Sequence, residues 1–237
     1  MLTEEEKSLI KTNMENVRAS LAPYPGVLLI GATKTVTAER IAYAITECGL
    51  TAIGENRVNE LREKYDSYPE GTQIHFIGHL QSNKVKYVVG KVCLIHSVDS
   101  LELAEAISKR AASLGVLQDI LIEVNIGKEP SKSGIIPEEA QSLVMAARSL
   151  PAVRVRGLMA IPPVCEQVEQ SERYFCKMQE IFQKINQNIL DISGKNVDNS
   201  IMDILSMGMS SDYVYAAKNK ATAIRLGRAI FGERNTK

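Results

Sequence analysis

Eight short runs rich in valine, isoleucine and leucine recur along the chain, and nearly all are followed by a stretch of helical character. They are "VLLIGATK" (27–34), "LTAIGEN" (50–56), "IHFIGH" (74–79), "VCLIHSVD" (92–99), "DILIEVNI" (119–126), "VRVRGLMAI" (153–161), "MDILSMGM" (202–209) and "AIRLGRAIF" (223–231). Most are continuous rather than alternating, as expected of strands covered on both faces of a parallel sheet. Between them, "TAERIAYAITECG" starts on Thr and stops on Gly, and "SLELAEAISKRAASLG" is bracketed by Ser100 and Gly115. "PEEAQSLVMAARSLP" has Pro in its first turn. "EQSERYFCKMQEIFQKINQNI" aligns Phe175, Met178, Phe182, Ile185 and Ile189, and an opening helix aligns Leu9, Ile10, Met14, Val17 and Leu21. This order predicts a single (β/α)8 barrel over residues 1–237, an α/β fold with an extra N-terminal helix. That helix is expected to close the ring where the last unit lacks its own. A doubly wound open sheet is the competing arrangement, but eight regular units fit the barrel better.

Composition agrees with one large core. At 237 residues and 45% hydrophobic, folding buries roughly 70–75% of the unfolded surface, so no staples are needed. Lys plus Arg equals Asp plus Glu at 28 each, which argues against a nucleic-acid partner. No run is long and apolar enough to span a bilayer, so no membrane partner is expected. The acidic opening "MLTEEEKSLI" lacks the pattern of a signal peptide. Cys48, Cys93, Cys165 and Cys176 show no metal or redox spacing. They are expected to be reduced, buried or half-buried thiols in a cytoplasmic protein.

In a barrel of this kind chemistry sits at the C-terminal strand ends. Those ends carry Lys34; Glu55 and Asn56; His79, Gln81, Ser82 and Asn83; His96, Ser97 and Asp99; Asn125; and Met159. The last two runs read as an anion site. "MGMSS" sets Gly208, Ser210 and Ser211 before a helix, and "RLGR" sets Gly227 between Arg225 and Arg228. A Ser-Gly loop before a helix is also an ordinary N-cap. A phosphate site beside a strand-end lysine suggests a phosphorylated aldehyde held as a Schiff base, with pyridoxal 5′-phosphate (PLP) the obvious ligand. The bland alternative is that Lys34 merely reaches solvent. His75 and His79 do not face one ligand on a strand, so no metal site is expected. Lys128 and Lys132 read as a solvated loop, with a second phosphate contact the minority alternative. The methionines at 145, 159, 178, 202, 207 and 209 read as core filler.

Seven ordered motifs then converge: "LLIGATKTV", "GENRVNEL", "IHFIGHLQSNKVK", "EVNIGKEPSKSGI", "VRGLMAIPP", "LSMGMSSDY" and "IRLGRAIFGER". Together, over nearly the whole chain, they resemble the pyridoxal-phosphate homeostasis family, small PLP-binding proteins built like the barrel domain of alanine racemase. The resemblance implies PLP bound to Lys34 as a Schiff base. It implies phosphate contacts from Ser210 and from the backbone N–H groups of Gly227 and Arg228, Arg225 opposite the pyridine nitrogen, and Asn56 beside the ring. The chain departs from the family pattern at His79, where many relatives have proline, and at Arg228, where threonine is commoner.

The resemblance also bears on activity. A guanidinium has no lone pair to accept the pyridine proton, so PLP facing Arg225 would be a poor electron sink. Alanine racemases add a C-terminal β-domain that supplies a catalytic tyrosine, and this sequence ends at Lys237 without one. The expected function is thus a monomeric PLP carrier that buffers the aldehyde and passes it to apo-enzymes, without catalytic residues of its own. Two rivals stay open: an enzyme, either a weak amino-acid racemase or another PLP-dependent activity, and a PLP-free Schiff-base aldolase acting on a phosphorylated sugar.

Overall fold

The apolar runs fold into parallel strands that close on themselves. The computed structural model describes residues 2–193 and 201–233; Met1, residues 194–200 and residues 234–237 lie outside the described residues. Among the described residues the strands are β1 (Leu28–Ala32), β2 (Ala52–Glu55), β3 (Gln73–Phe76), β4 (Leu94–Val98), β5 (Gln118–Val124), β6 (Val153–Ala160), β7 (Ile204–Ser206) and β8 (Ala223–Leu226). Each pairs with its neighbours in chain order, and β1 pairs with β8 from Leu28↔Ala223 to Gly31↔Leu226 to complete the ring. The helices are α1 (Glu4–Leu21), α2 (Ala38–Thr46), α3 (Val58–Lys64), α4 (Leu101–Leu114), α5 (Ala140–Arg148), α6 (Glu172–Ser193), α7 (Tyr213–Lys218) and α8 (Arg228–Phe231).

Local chemistry explains the helix ends. Ser100 caps α4 by accepting from Leu103 N, and Gly115 ends it in the left-handed conformation. Thr3 and Glu6 form a reciprocal capping box at α1. Between β3 and β4 the connection is a 3-10 turn, Ser82–Tyr87, rather than an α-helix.

The last run differs most from expectation. Its ladder with β1 stops at Leu226, and beyond Gly227 the chain turns into α8 instead of continuing as strand. Ile230 and Phe231 are buried there, and Asn13 of α1 donates to the Ile230 carbonyl at 3.1 Å. The final unit therefore has a helix of its own, one turn long, and α1 packs on it to fill the ring. On α1, Ile10, Met14 and Val17 are buried, whereas Leu9 is exposed.

The main core lies between sheet and helices, joining Ile41, Leu61, Ile107, Val144, Phe175 and Met178 to outward-facing strand residues such as Ile53, Ile95 and Ile120. Inside the barrel two small apolar clusters remain: Ile30, Ala52 and Ala223, and Leu94, Leu121 and Met159. Side chains alternate along a strand, so the residue two places on from each of these shares the inward face. On three strands it is polar: His96 after Leu94, Glu123 after Leu121 and Arg225 after Ala223; Ser206 follows Ile204, which packs on both clusters, in the same way. The barrel interior thus changes from apolar to polar toward the C-terminal strand ends.

Candidate functional site

A cavity of about 540 Å³ opens over this polar layer, within the range of about 300–1,000 Å³ usual for small-molecule sites. Asn56, Ser210, Arg225, Gly227 and Arg228 all contribute to its wall, with Ala32, Ile77, Ile161 and Met209. Five of the six residues expected to hold the ligand are therefore brought together. The sixth, Lys34, lies two residues past the end of β1, half-buried in the turn that follows Ala32, and is not part of that wall.

Arg225 is 4% exposed. Its Nη1 donates to Ser206 Oγ at 2.6 Å and its Nη2 to the Ala160 carbonyl at 3.0 Å. Burial lowers its pKa to about 10, opposed by Glu123 and Asp212, so it stays a cation at neutral pH. From Ser206 the polar chain continues to His96 Nδ1 at 3.0 Å, and from His96 Nε2 to His75 Nδ1 at 2.9 Å. Ser206 already accepts from Arg225. Its hydroxyl is therefore best placed to donate to His96 Nδ1, which puts the His96 proton on Nε2 and makes His75 Nδ1 the acceptor. Burial keeps both rings neutral: it pushes His75 down to about 4 and His96 well below its ordinary value. His75 and His96 thus belong to a barrel-spanning chain that anchors Arg225. His96 is interior rather than at the rim.

Close backbone approach shapes the rest of the cavity. Gly208 has φ 93°, and a Cβ there would lie 2.6 Å from Ala216 Cβ. The loop it starts is tied by Met209 N donating to Asp212 Oδ1 at 2.7 Å and by Ala229 N donating to Ser210 Oγ at 3.1 Å. Ser210 therefore keeps its hydroxyl proton free to donate. A Cβ at Gly78 would lie 2.0 Å from the Asn56 carbonyl oxygen, so the segment that follows β3 can pass beside Asn56 only as glycine.

A second cavity of about 300 Å³ adjoins the first and shares Asn56, Ile77 and Ile161 with it; its wall adds His79, Glu123, Lys132 and Ser133. Glu123 is buried, its Oε2 has no partner, and burial followed by Asp99 raises its pKa to about 7. The loop of residues 128–135 folds back here: Ile135 N donates to Glu123 O at 3.0 Å, and Asn125 Nδ2 to Glu129 O at 2.8 Å. Asn125 thus serves the loop. Lys132 donates to Pro162 O at 3.0 Å and Lys128 pairs with exposed Glu138 at 2.6 Å, so Lys132 faces the cavity and Lys128 reads as the solvated one.

Of the other rim expectations, only His79 reaches a cavity wall, that of the second. Gln81, Ser82 and Asn83 are exposed at the 3-10 turn, and Met159 belongs to the apolar layer. His79 is exposed, 3.7 Å from Asp99. No group of three or more His, Cys, Asp or Glu side chains among the described residues could hold a metal ion. All four cysteines are free, with Cys48 buried, Cys165 half-buried, and Cys93 and Cys176 exposed where burial was expected.

Sequence reasoning missed Glu123, Ser206 and the cluster under Lys34. That cluster is built on Glu55, which is fully buried rather than at the rim. Its Oε1 accepts from Thr33 Oγ1 at 2.8 Å and Tyr68 OH at 2.5 Å, and pairs with Lys64 Nζ at 2.7 Å. The signal for Lys64 was its i,i+4 spacing from Glu60 on α3; nothing local pointed either residue at Lys34.

The family model for the alanine racemase N-terminal domain matches residues 7–235. A pyridoxal phosphate homeostasis protein from Aquifex aeolicus is 44% identical over 207 residues, 87% of this chain and 86% of the relative. The chain belongs to the pyridoxal phosphate homeostasis family, within the alanine racemase N-terminal-domain fold. The solved structure of PipY from Synechococcus elongatus, with PLP bound, superposes with a TM-score of 0.82 at 30% identity, covering 94% of this chain and 100% of PipY. An alanine racemase from Clostridium difficile shares the fold, with a TM-score of 0.76 at 17% identity, over 97% of this chain and 58% of the racemase. No described helix is long and apolar enough to cross a membrane.

Proposed function

We propose that the protein holds PLP as a Schiff base on Lys34 and serves PLP homeostasis as a cytoplasmic, monomeric carrier that supplies apo-enzymes, with little or no catalysis of its own. The observation that carries this reading is the convergence of Asn56, Ser210, Arg225, Gly227 and Arg228 on one cavity. The name of the Aquifex relative and the PLP in PipY point the same way. Free thiols on all four cysteines suit a reducing compartment.

The donor set suits the ligand. Ser210 has a hydroxyl proton to give, Gly227 and Arg228 bring backbone N–H groups, and the Arg228 side chain adds a cation at the same end of the cavity. Arg225 is held by Ser206 and Ala160 and offers only donors. A pyridine nitrogen facing it would keep its lone pair unprotonated. Bound there, PLP would supply an aldehyde with which a neutral lysine amine condenses, forming C=N and releasing one water. Asn56, fixed against Gly78, limits where a ring can lie. Lys34, in the turn after β1 and outside the cavity wall, is the lysine this reading assigns to that amine.

The test is the visible absorbance of the parent beside Lys34→Ala, before and after PLP is added. A yellow band in the parent that is missing in the variant supports the reading; a colourless parent even with PLP would sink it. One observation favours a second, weaker reading as a racemase: Glu123, titrating near 7 in the adjoining cavity, could exchange a proton. Racemisation above the rate of free PLP, abolished in Glu123→Gln, would favour that alternative.

A further inference from the structure

The turn that carries Lys34 is held far more tightly than a surface connection needs. Thr33 N donates to Gly54 O at 3.0 Å and Thr33 Oγ1 to Glu55 Oε1 at 2.8 Å. The Thr33 carbonyl receives Val36 N at 3.0 Å and Lys64 Nζ at 3.1 Å. Thr35 N donates to Glu60 Oε2 at 2.9 Å, and Glu60 Oε2 also lies 3.3 Å from Lys64 Nζ. Both acceptor and ammonium come from one face of α3, four residues apart. Lys64 is in turn pinned by buried Glu55 at 2.7 Å. Every residue of the turn except Lys34 is gripped through its backbone or side chain by α3 or the end of β2. Among the described residues the Lys34 side chain makes no hydrogen bond or ion pair.

The grip holds an unfavourable backbone. Thr35 has φ 64°, a left-handed conformation that a β-branched residue rarely adopts and keeps only where its surroundings impose it. A Glu60 acceptor on its N–H supplies that imposition, and the consequence falls on the preceding residue. With Thr33 and Thr35 fixed, the direction in which Lys34 leaves the backbone is fixed too, and only its four side-chain torsions remain to be ordered.

We infer that Glu60 and Lys64 are positioning residues for Lys34: a carboxylate and an ammonium on α3 that lock the strand-end turn so that the lysine amine is presented to the cavity. This rests on the reading of Lys34 as the PLP-bearing lysine. It goes beyond that reading by assigning residues that touch neither cavity. Pre-orienting a reacting group raises its effective concentration, and a misplacement of about 1 Å can cost about 100-fold.

The experiment follows Schiff-base formation by stopped-flow absorbance on the full chain stripped of ligand, with borohydride trapping and mass measurement, for parent, Lys34→Ala, Glu60→Ala and Glu60→Gln. Thermal midpoints are recorded alongside. Glu60→Ala is expected to slow formation by roughly tenfold or more. Glu60→Gln keeps an oxygen that can accept from Thr35 N–H and is expected to stay close to the parent. Formation at the parent rate in Glu60→Ala, whatever its thermal midpoint, overturns the inference, as does a Gln variant as slow as the Ala variant. Should Glu60→Ala fail to fold, Thr35→Gly replaces it. Glycine relieves the backbone strain and loosens the turn, so stability should hold or rise while formation slows; an unchanged rate again overturns the inference. A parent that never forms the band, or a Lys34→Ala protein that forms it equally, marks failure of the underlying reading instead.

Discussion

Replacing Lys64 with methionine removes the only cation paired with Glu55 among the described residues and keeps most of the side chain's volume. Glu55 is 0% exposed, and Lys64 Nζ sits 2.7 Å from its Oε1. The carboxylate keeps two hydroxyl donors, Thr33 at 2.8 Å and Tyr68 at 2.5 Å, while its Oε2 has no partner. Two neutral donors compensate a buried charge only in part, and breaking a buried ion pair from one side typically costs about 3–5 kcal/mol. Lys64 also gives up its bond to the Thr33 carbonyl. The upper half of that range is therefore expected, which at about 2–4 °C per kcal/mol lowers the thermal midpoint by roughly 8–20 °C. Urea unfolding followed by circular dichroism at pH 7 measures the loss, provided the slope is unchanged. Glu55→Gln combined with Lys64→Met removes both charges and should recover about 1–4 kcal/mol of it. A single-variant loss below about 1 kcal/mol, or no recovery in the double variant, would refute the treatment of this pair as buried and mutually dependent.

Other perturbations address the cavity itself. Gly78→Ala sets a Cβ 2.0 Å from the Asn56 carbonyl oxygen; since backbone must move, a loss of about 1–3 kcal/mol with weaker PLP binding by spectral titration is expected, and unchanged binding would dissociate Asn56 from the site. Ser206→Ala deprives Arg225 Nη1 of its 2.6 Å acceptor and should cost about 1–3 kcal/mol in urea unfolding, shifting the spectrum of bound PLP if Arg225 faces the ring. The pH dependence separates two buried groups of opposite sign. Glu123, raised to about 7 from 4.5, holds its proton better when folded, so its stabilising effect is complete below pH 4.5 and lost as pH rises toward 7. Glu123→Gln should abolish that loss, about 3 kcal/mol by pH 8. His75, lowered to about 4, takes a proton more readily when unfolded, so its contribution is present above pH 6.5 and lost as pH falls to 4; unfolding midpoints that stay flat across this window would contradict its burial as a neutral ring.

How far the sequence reaches depends on whether a signal is local. The apolar runs located every strand, and Ser100 and Gly115 bounded α4 where the structure bounds it. Boundaries drifted because apolar residues continue past the ladder: Ile230 and Phe231 are as hydrophobic as strand residues but bury against α1 from a helical turn. The cavity wall was legible because its residues follow strand ends, where the fold class directs attention. Ser206 and Glu123 were not, because an isolated polar residue in an apolar run declares its face only once the register with neighbouring strands is known. The cluster under Lys34 is tertiary throughout. Glu55 belongs to β2, Lys64 to α3 and Thr33 to the end of β1, and no local pattern announces that the three meet.

The most direct test of the central claim is to load the protein with PLP, reduce it with borohydride, digest it and map the modified lysine by mass spectrometry. The account predicts the label on the peptide containing Lys34 and none there after Lys34→Ala. A label mainly on Lys132, at the wall of the second cavity, or on scattered surface lysines would contradict it.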